Sequence, residues 1–130
     1  MKHSQGFLRL VRTAKGRIRE VRVDQVREKL KRRHPFRFVD VREDHEWNVG
    51  YAKGAEHIAR GILERDVETA IPDKKTEIVL YCGGGFRSAL SAESLRKMGY
   101  RTVLSMAGGF RAWKAARAPV VRSRPRPRRN

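Results

Sequence analysis

Ile78-Val79-Leu80-Tyr81-Cys82-Gly83-Gly84-Gly85-Phe86-Arg87-Ser88 passes from an uncharged apolar run through three consecutive glycines into a polar segment. The first five residues are β-branched, apolar or aromatic, the composition of a short strand buried on both faces. Beyond the loop, Leu90, Leu95 and Met98 recur at near-helical spacing and Gly99 supplies a stop, so the pattern predicts a helix from about Arg87 to Met98. The glycines therefore join a strand to a helix. Without a Cβ, successive N–H groups in such a loop can turn inward, and the helix behind them adds the positive end of its dipole. An anion fits that cup.

Cys82 is the only cysteine of the chain and stands at the mouth of this loop. The loop amides, the helix N-terminus and the guanidinium of Arg87 would all favour its thiolate, the form that acts as a nucleophile. The alternative is a structural cysteine that ends a strand. Other glycine loops fail on their letters. A Walker-type loop needs Lys then Ser or Thr after its last glycine, where Phe86-Arg87 stands, and a dinucleotide fingerprint begun at Gly83 needs glycine at Ser88.

Three further segments occur in order around this loop. They are Phe38-Val39-Asp40-Val41-Arg42-Glu43, Gly50-Tyr51-Ala52-Lys53-Gly54-Ala55-Glu56-His57-Ile58 and Met106-Ala107-Gly108-Gly109-Phe110-Arg111-Ala112-Trp113. Together with the Cys-x4-Arg loop they resemble the rhodanese-like sulfurtransferases over about residues 36 to 121. Tyr51 and Ala52 replace the His and Ile usual there, whereas His57 keeps the place of a common second histidine. The resemblance implies a double displacement. Cys82 takes sulfur from a donor such as thiosulfate or a persulfide, and the Cys82 persulfide passes it to a thiol or cyanide, with no cofactor or metal. It also implies that Gly83, Gly84, Gly85, Phe86 and Arg87 hold the persulfide. A persulfide carrier or protein-binding module is the second reading. A cysteine-dependent phosphatase or arsenate reductase is the third, and the loop opposes it: the phosphatases enclose five residues between Cys and Arg, and Cys82 and Arg87 enclose four.

Outside the loop, alternating strand and helix patterns predict an α/β fold with a parallel central sheet and helices on both faces. Strands are expected at 20–23, 37–41, 56–58, 78–82 and 102–105. Helices are expected from an Asp24 N-cap to Lys31 and at 44–48, 61–70, 87–98 and 109–116. Ligands of such sheets lie beyond the carboxyl ends of the strands. Cys82 and Asp40 both fall there, so Asp40 either orients the loop, pairs with Arg87 or caps the next helix. Arg42 is a supporting candidate beside it, and Arg60 follows a strand within reach of an anionic substrate. His57 reads as a structural histidine, and no Cys/His cluster has metal-ligand spacing.

Charge divides the 130-residue chain into three. Residues 1–35 hold 12 Lys and Arg against 3 acids, residues 36–116 hold 13 against 11, and residues 117–130 hold 6 against none. Of the net +17, +15 lies in the flanks and +2 in the middle. Residues 1–19 form an amphipathic basic helix with Phe7, Leu8, Leu10, Val11, Ala14 and Ile18 on one stripe, either packed on the domain, lying on a membrane or serving as a mitochondrial transit peptide. Residues 20–121 form the sulfurtransferase-like domain. Residues 122–130, rich in Arg and Pro, are expected to be a disordered tail, solubilising or drawn to nucleic acid or another anionic surface. A single cysteine and the absence of a membrane-length apolar run make the cytoplasm the default compartment, or the mitochondrial matrix if residues 1–19 are a transit peptide.

Overall fold

The computed structural model describes residues 2–122. In chain order the elements are α1 (Gln5–Lys15), β1 (Arg19–Val21), α2 (Val23–Lys31), β2 (Arg37–Asp40), α3 (Asp44–Val49), β3 (Gly50–Ala52) and β4 (Glu56–His57). They continue with α4 (Arg60–Ala70), β5 (Glu77–Tyr81), α5 (Phe86–Lys97), β6 (Thr102–Met106), α6 (Gly109–Ala115) and β7 (Val120–Arg122). Five strands form a parallel sheet in the order β1-β6-β5-β2-β4, with β5 at its centre. The predicted α/β architecture is therefore the one observed.

Alternation along the strands divides the core in two. Ile78, Leu80 and Cys82 face a layer that includes Val11, Ala14, Leu63, Val67, Ala89 and Leu95, from α1, α4 and α5. Val79 and Tyr81 face the opposite layer with Val26, Phe110 and Trp113, from α2 and α6. A period of two sends neighbouring strand residues to opposite faces, and here both faces are apolar because helices cover both. The N-terminal helix thus packs on the domain. Ser4 caps it, its Oγ accepting from the Phe7 N–H at 3.2 Å.

Three details differ from the expectations. Helix α1 spans Gln5–Lys15 rather than residues 1–19, because Ser4 caps it and Gly16 ends it, and Leu10 of the expected apolar stripe is exposed. The N-cap of α2 is Arg22 and not Asp24. Gln25 accepts from the Arg22 N–H at 2.8 Å, Val23 is buried in the first turn, and Asp24 remains there as a favourable charge. A second, antiparallel sheet pairs β3 with β7, with Tyr51 opposite Val121. These strands have three residues each and adjoin a glycine and a proline, so local pattern marks them only as helix ends. Strand β7 includes Arg122, the first residue of the expected tail, and residues 123–130, where the rest of that tail falls, lie outside the described residues. Among the described residues no helix is long and apolar enough to cross a membrane.

Candidate active site

Cys82 follows the last residue of β5 at the carboxyl end of the central strand, and its side chain is buried at 2% exposure. Its Sγ accepts from the N–H of Gly85 at 3.1 Å and of Ser88 at 3.3 Å, and lies 3.5 Å from Ser88 Oγ. Behind Ser88 stands Ser105 on β6, with the two hydroxyl oxygens 2.8 Å apart and both side chains fully buried. The sulfur is thus held by two amides and backed by a pair of hydroxyls. Among the described residues, no protein acceptor faces the amides of Gly83, Gly84, Phe86 and Arg87. Phe86 and Arg87 open α5, where the first N–H groups of a helix have no partner of their own.

The loop faces inward because its carbonyls are held from outside. The Phe110 N–H donates to the Cys82 carbonyl at 2.8 Å and the Arg111 N–H to the Gly83 carbonyl at 3.0 Å, both from the first turn of α6. This explains the second motif glycine. Gly109 has φ +54°, and a Cβ there would overlap the Cys82 carbonyl and the Gly83 backbone. Gly85 caps α5 in the left-handed region at φ +93°, and a Cβ on it would meet the Gly108 nitrogen at 2.9 Å.

Arg87 is half-exposed and reaches toward α3, its guanidinium 3.6 Å from Glu43 Oε1 and 3.5 Å from Glu46 Oε1. Its partners are therefore α3 carboxylates and not Asp40. Asp40 is fully buried and is gripped by Arg42. Nη2 of Arg42 donates to Oδ2 at 2.8 Å, Nε lies about equally far from both oxygens, and the Arg42 N–H donates to Oδ1 at 2.8 Å. The same guanidinium donates to the Gly50 carbonyl at 2.6 Å and lies 4.1 Å over the Phe110 ring. Burial alone would lower the pKa of Arg42, and hydrogen bonding to the Asp40 carboxylate outweighs it, so Arg42 is raised and stays charged. The pair is a brace between β2, β3 and α6. Burial and then the Asp40 carboxylate push the neighbouring Tyr81 hydroxyl far up, so it remains neutral and accepts from the Ala52 N–H at 3.0 Å.

Arg60 does not join this group. Its Nη1 donates to Ser91 Oγ on α5 at 2.9 Å, and it is not among the residues around the Cys82 cleft. His57 contacts the Arg42 carbonyl through Nε2 at 2.7 Å and stacks 4.9 Å from Trp47, which stacks in turn 3.6 Å from Tyr51. Tyr51, in the place of the usual histidine, completes an aromatic stack on α3. The site residues that sequence reading passed over are Ser88, Ser105, Glu43 and Glu46. Ser88 is marked only by its position at the third residue of α5, where the N–H points into the cup. Nothing local marks Ser105, which arrives from the next strand.

An open cleft of about 650 Å³ leads to Cys82, with Gly83, Phe86, Arg87 and Arg111 along it. A larger one of about 690 Å³ lies between α2 and α6 over Trp113, with none of the loop residues in it. The smaller cleft is the candidate site, since of the two it is the one that holds a thiol beside amides without a protein acceptor among the described residues. No group of three or more His, Cys, Asp or Glu able to hold a metal occurs among the described residues.

Comparison with known proteins gives the same outline. The model of the rhodanese-like domain matches residues 22–116. YtwF of Bacillus subtilis, designated a sulfurtransferase, is 33% identical over 102 residues, covering 78% of this chain and 96% of its own. A Rhodopseudomonas palustris protein of unknown function, described as a possible tyrosine phosphatase, superposes with a TM-score of 0.83 at 26% identity over 93% of this chain and 98% of that one. The polysulfide-sulfur transferase homodimer of Wolinella succinogenes superposes with a TM-score of 0.78 at 25% identity, over 93% and 90%.

Proposed function

The chain belongs to the rhodanese-like family, and on that premise we propose that it moves sulfane sulfur from a small donor to a thiophilic acceptor through a persulfide on Cys82. The observation that carries this reading is the division of labour among the amides. Gly85 and Ser88 already serve Sγ, while those of Gly83, Gly84, Phe86 and Arg87 have no protein acceptor. A second sulfur atom bonded to Sγ is the group that would use them.

With thiosulfate as donor, the Cys82 thiolate attacks the outer sulfur and the donor's S–S bond breaks. Sulfite leaves with the bonding pair, and the persulfide anion remains. In the second half, cyanide or a thiolate attacks the terminal sulfur and Cys82 leaves as thiolate. No net redox change and no added electron carrier are required. The N-terminus of α5 and the inward amides are fixed before the reaction, so charge that grows on the terminal sulfur meets donors already in place.

The carrier reading shares the first half of this sequence and lacks rapid turnover. The phosphatase reading is opposed by the four-residue loop and by Asp40, which is committed to Arg42 and stands as no free acid for a leaving group. Steady-state thiosulfate:cyanide turnover tests the proposal. Thiocyanate should form with the wild type and not with Cys82→Ser. Hydrolysis of an aryl phosphate by the wild type, without thiocyanate formation, would favour the phosphatase instead.

A further inference from the structure

Helix α1 precedes the segment that matches the family, which begins at residue 22, and yet it forms part of the approach to Cys82. Val11 and Ala14 anchor it in the core layer beneath α5, and Arg17 adds a 3.4 Å contact to Glu93 of that helix. Ser4 then stops the helix, so Lys2 and His3 are carried beyond its end. His3, Phe7 and Phe86 make an aromatic cluster. The His3 ring is 4.8 Å from Phe86, edge-on, and 5.1 Å from Phe7, while Lys15 Nζ lies 5.3 Å over the Phe86 ring. Phe86 is the residue that follows the loop glycines, so α1 is clamped to the catalytic loop itself.

Lys2, His3, Ser4 and Phe7 line the same cleft as Cys82, Arg87 and Arg111. Arg87 is engaged by Glu43 and Glu46, which leaves Lys2 and Arg111 as the cations along the cleft without an ion pair among the described residues. At about 650 Å³ the cleft is of the size that holds a drug-sized organic molecule. Thiosulfate, a handful of atoms, would occupy only the cup. Resting on the sulfurtransferase reading, we propose that residues 2–7 are a specificity-determining wall, which selects a donor larger than thiosulfate that carries carboxylates away from the transferred sulfur. His3 and Phe7 contact the organic part. Lys2 attracts its charge.

Two donors separate the wall from the cup. Glutathione persulfide is the large anionic probe and thiosulfate the small one, each with cyanide as acceptor, and the quantity read is the ratio of their kcat/KM values. His3→Ala/Phe7→Ala should lower that ratio, large over small, by about fivefold or more, the scale of lost aromatic contacts. Lys2→Glu, an exposed site where folding is not at stake, should lower it by about threefold. Ratios within about twofold of the wild type in both variants, whether the separate rates hold or fall together, would overturn the wall. So would a wild type that uses thiosulfate and not glutathione persulfide. A wild type that takes sulfur from neither donor would overturn the wall and the sulfurtransferase reading together.

Discussion

Ser88 touches Cys82 twice, through an N–H that any residue would supply and through a hydroxyl that alanine would not. Replacing it with Ala keeps the amide on Sγ and leaves Ser105 Oγ fully buried without its 2.8 Å partner. A buried polar group stripped of its partner costs ~1–3 kcal/mol, whereas removal of both partners is nearly neutral. Urea unfolding should therefore show Ser88→Ala less stable than Ser88→Ala/Ser105→Ala. Transfer should fall in both variants by about tenfold, since the hydroxyl on the sulfur is gone from each. A double variant less stable than the single one would show that the two hydroxyls do not act as a pair. Cys82, the loop glycines and the strand-to-helix turn they make are legible in the sequence because they are contiguous. Ser105 is not, because its role comes from the parallel register of β6 beside β5.

The elements around the loop act by holding it rather than by reacting. Helix α6 holds the loop carbonyls, α3 meets Arg87, and the buried Asp40–Arg42 pair ties the end of β2 to β3. Asp40→Asn would leave the Arg42 charge buried without its counter-ion, a change of ~3–5 kcal/mol. Chemical denaturation of that variant should show a loss of this order, and a loss under ~1 kcal/mol would mean that the pair is not the brace described. This pairing was hidden at sequence level. Strand-end position alone leaves Asp40 open to Arg87, to the loop or to a capping role, but Arg42 folds back two residues because Gly50 and Phe110, from distant segments, enclose its guanidinium. Arg60 misled for the opposite reason, since a residue at the start of α4 faces α5 and not the loop. At the other end of the sheet, burial alone would raise Glu77, but hydrogen bonds from Lys29 and His34 hold its carboxyl below the ordinary value. A depressed carboxyl contributes stability above its unfolded-state pKa that is lost as pH falls through the folded one. Glu77→Gln should therefore be less stable than the wild type at pH 7, and the gap between the two should close on acidification below about pH 4. A gap that widens in acid would contradict this.

At the scale of the whole molecule, most of the positive charge falls outside the segment that carries Cys82, although Lys2 of the basic N-terminal flank lines its cleft. The segment that carries the Cys82 loop holds +2, and the other +15 of the net +17 lies before and after it. Exposed charges act weakly beyond a Debye length of ~10 Å at 0.1 M salt. Removal of residues 123–130, which spares strand β7, should thus leave thiosulfate:cyanide turnover within about twofold. A large loss, with unfolding unchanged, would place those arginines at the reaction. The layered α/β architecture followed from strand and helix periods, because each parallel strand is apolar on both faces. The β3–β7 ribbon escaped the same reasoning because three-residue strands have no period to detect. The proposed chemistry is narrower than the fold and rests on Cys82 carrying the sulfur. Intact-mass analysis after incubation with thiosulfate and removal of excess donor measures this directly. One added sulfur atom is expected on the wild type, none on Cys82→Ser, and loss of the added mass when cyanide is supplied. An unchanged wild-type mass, or an equal gain on Cys82→Ser, would contradict it.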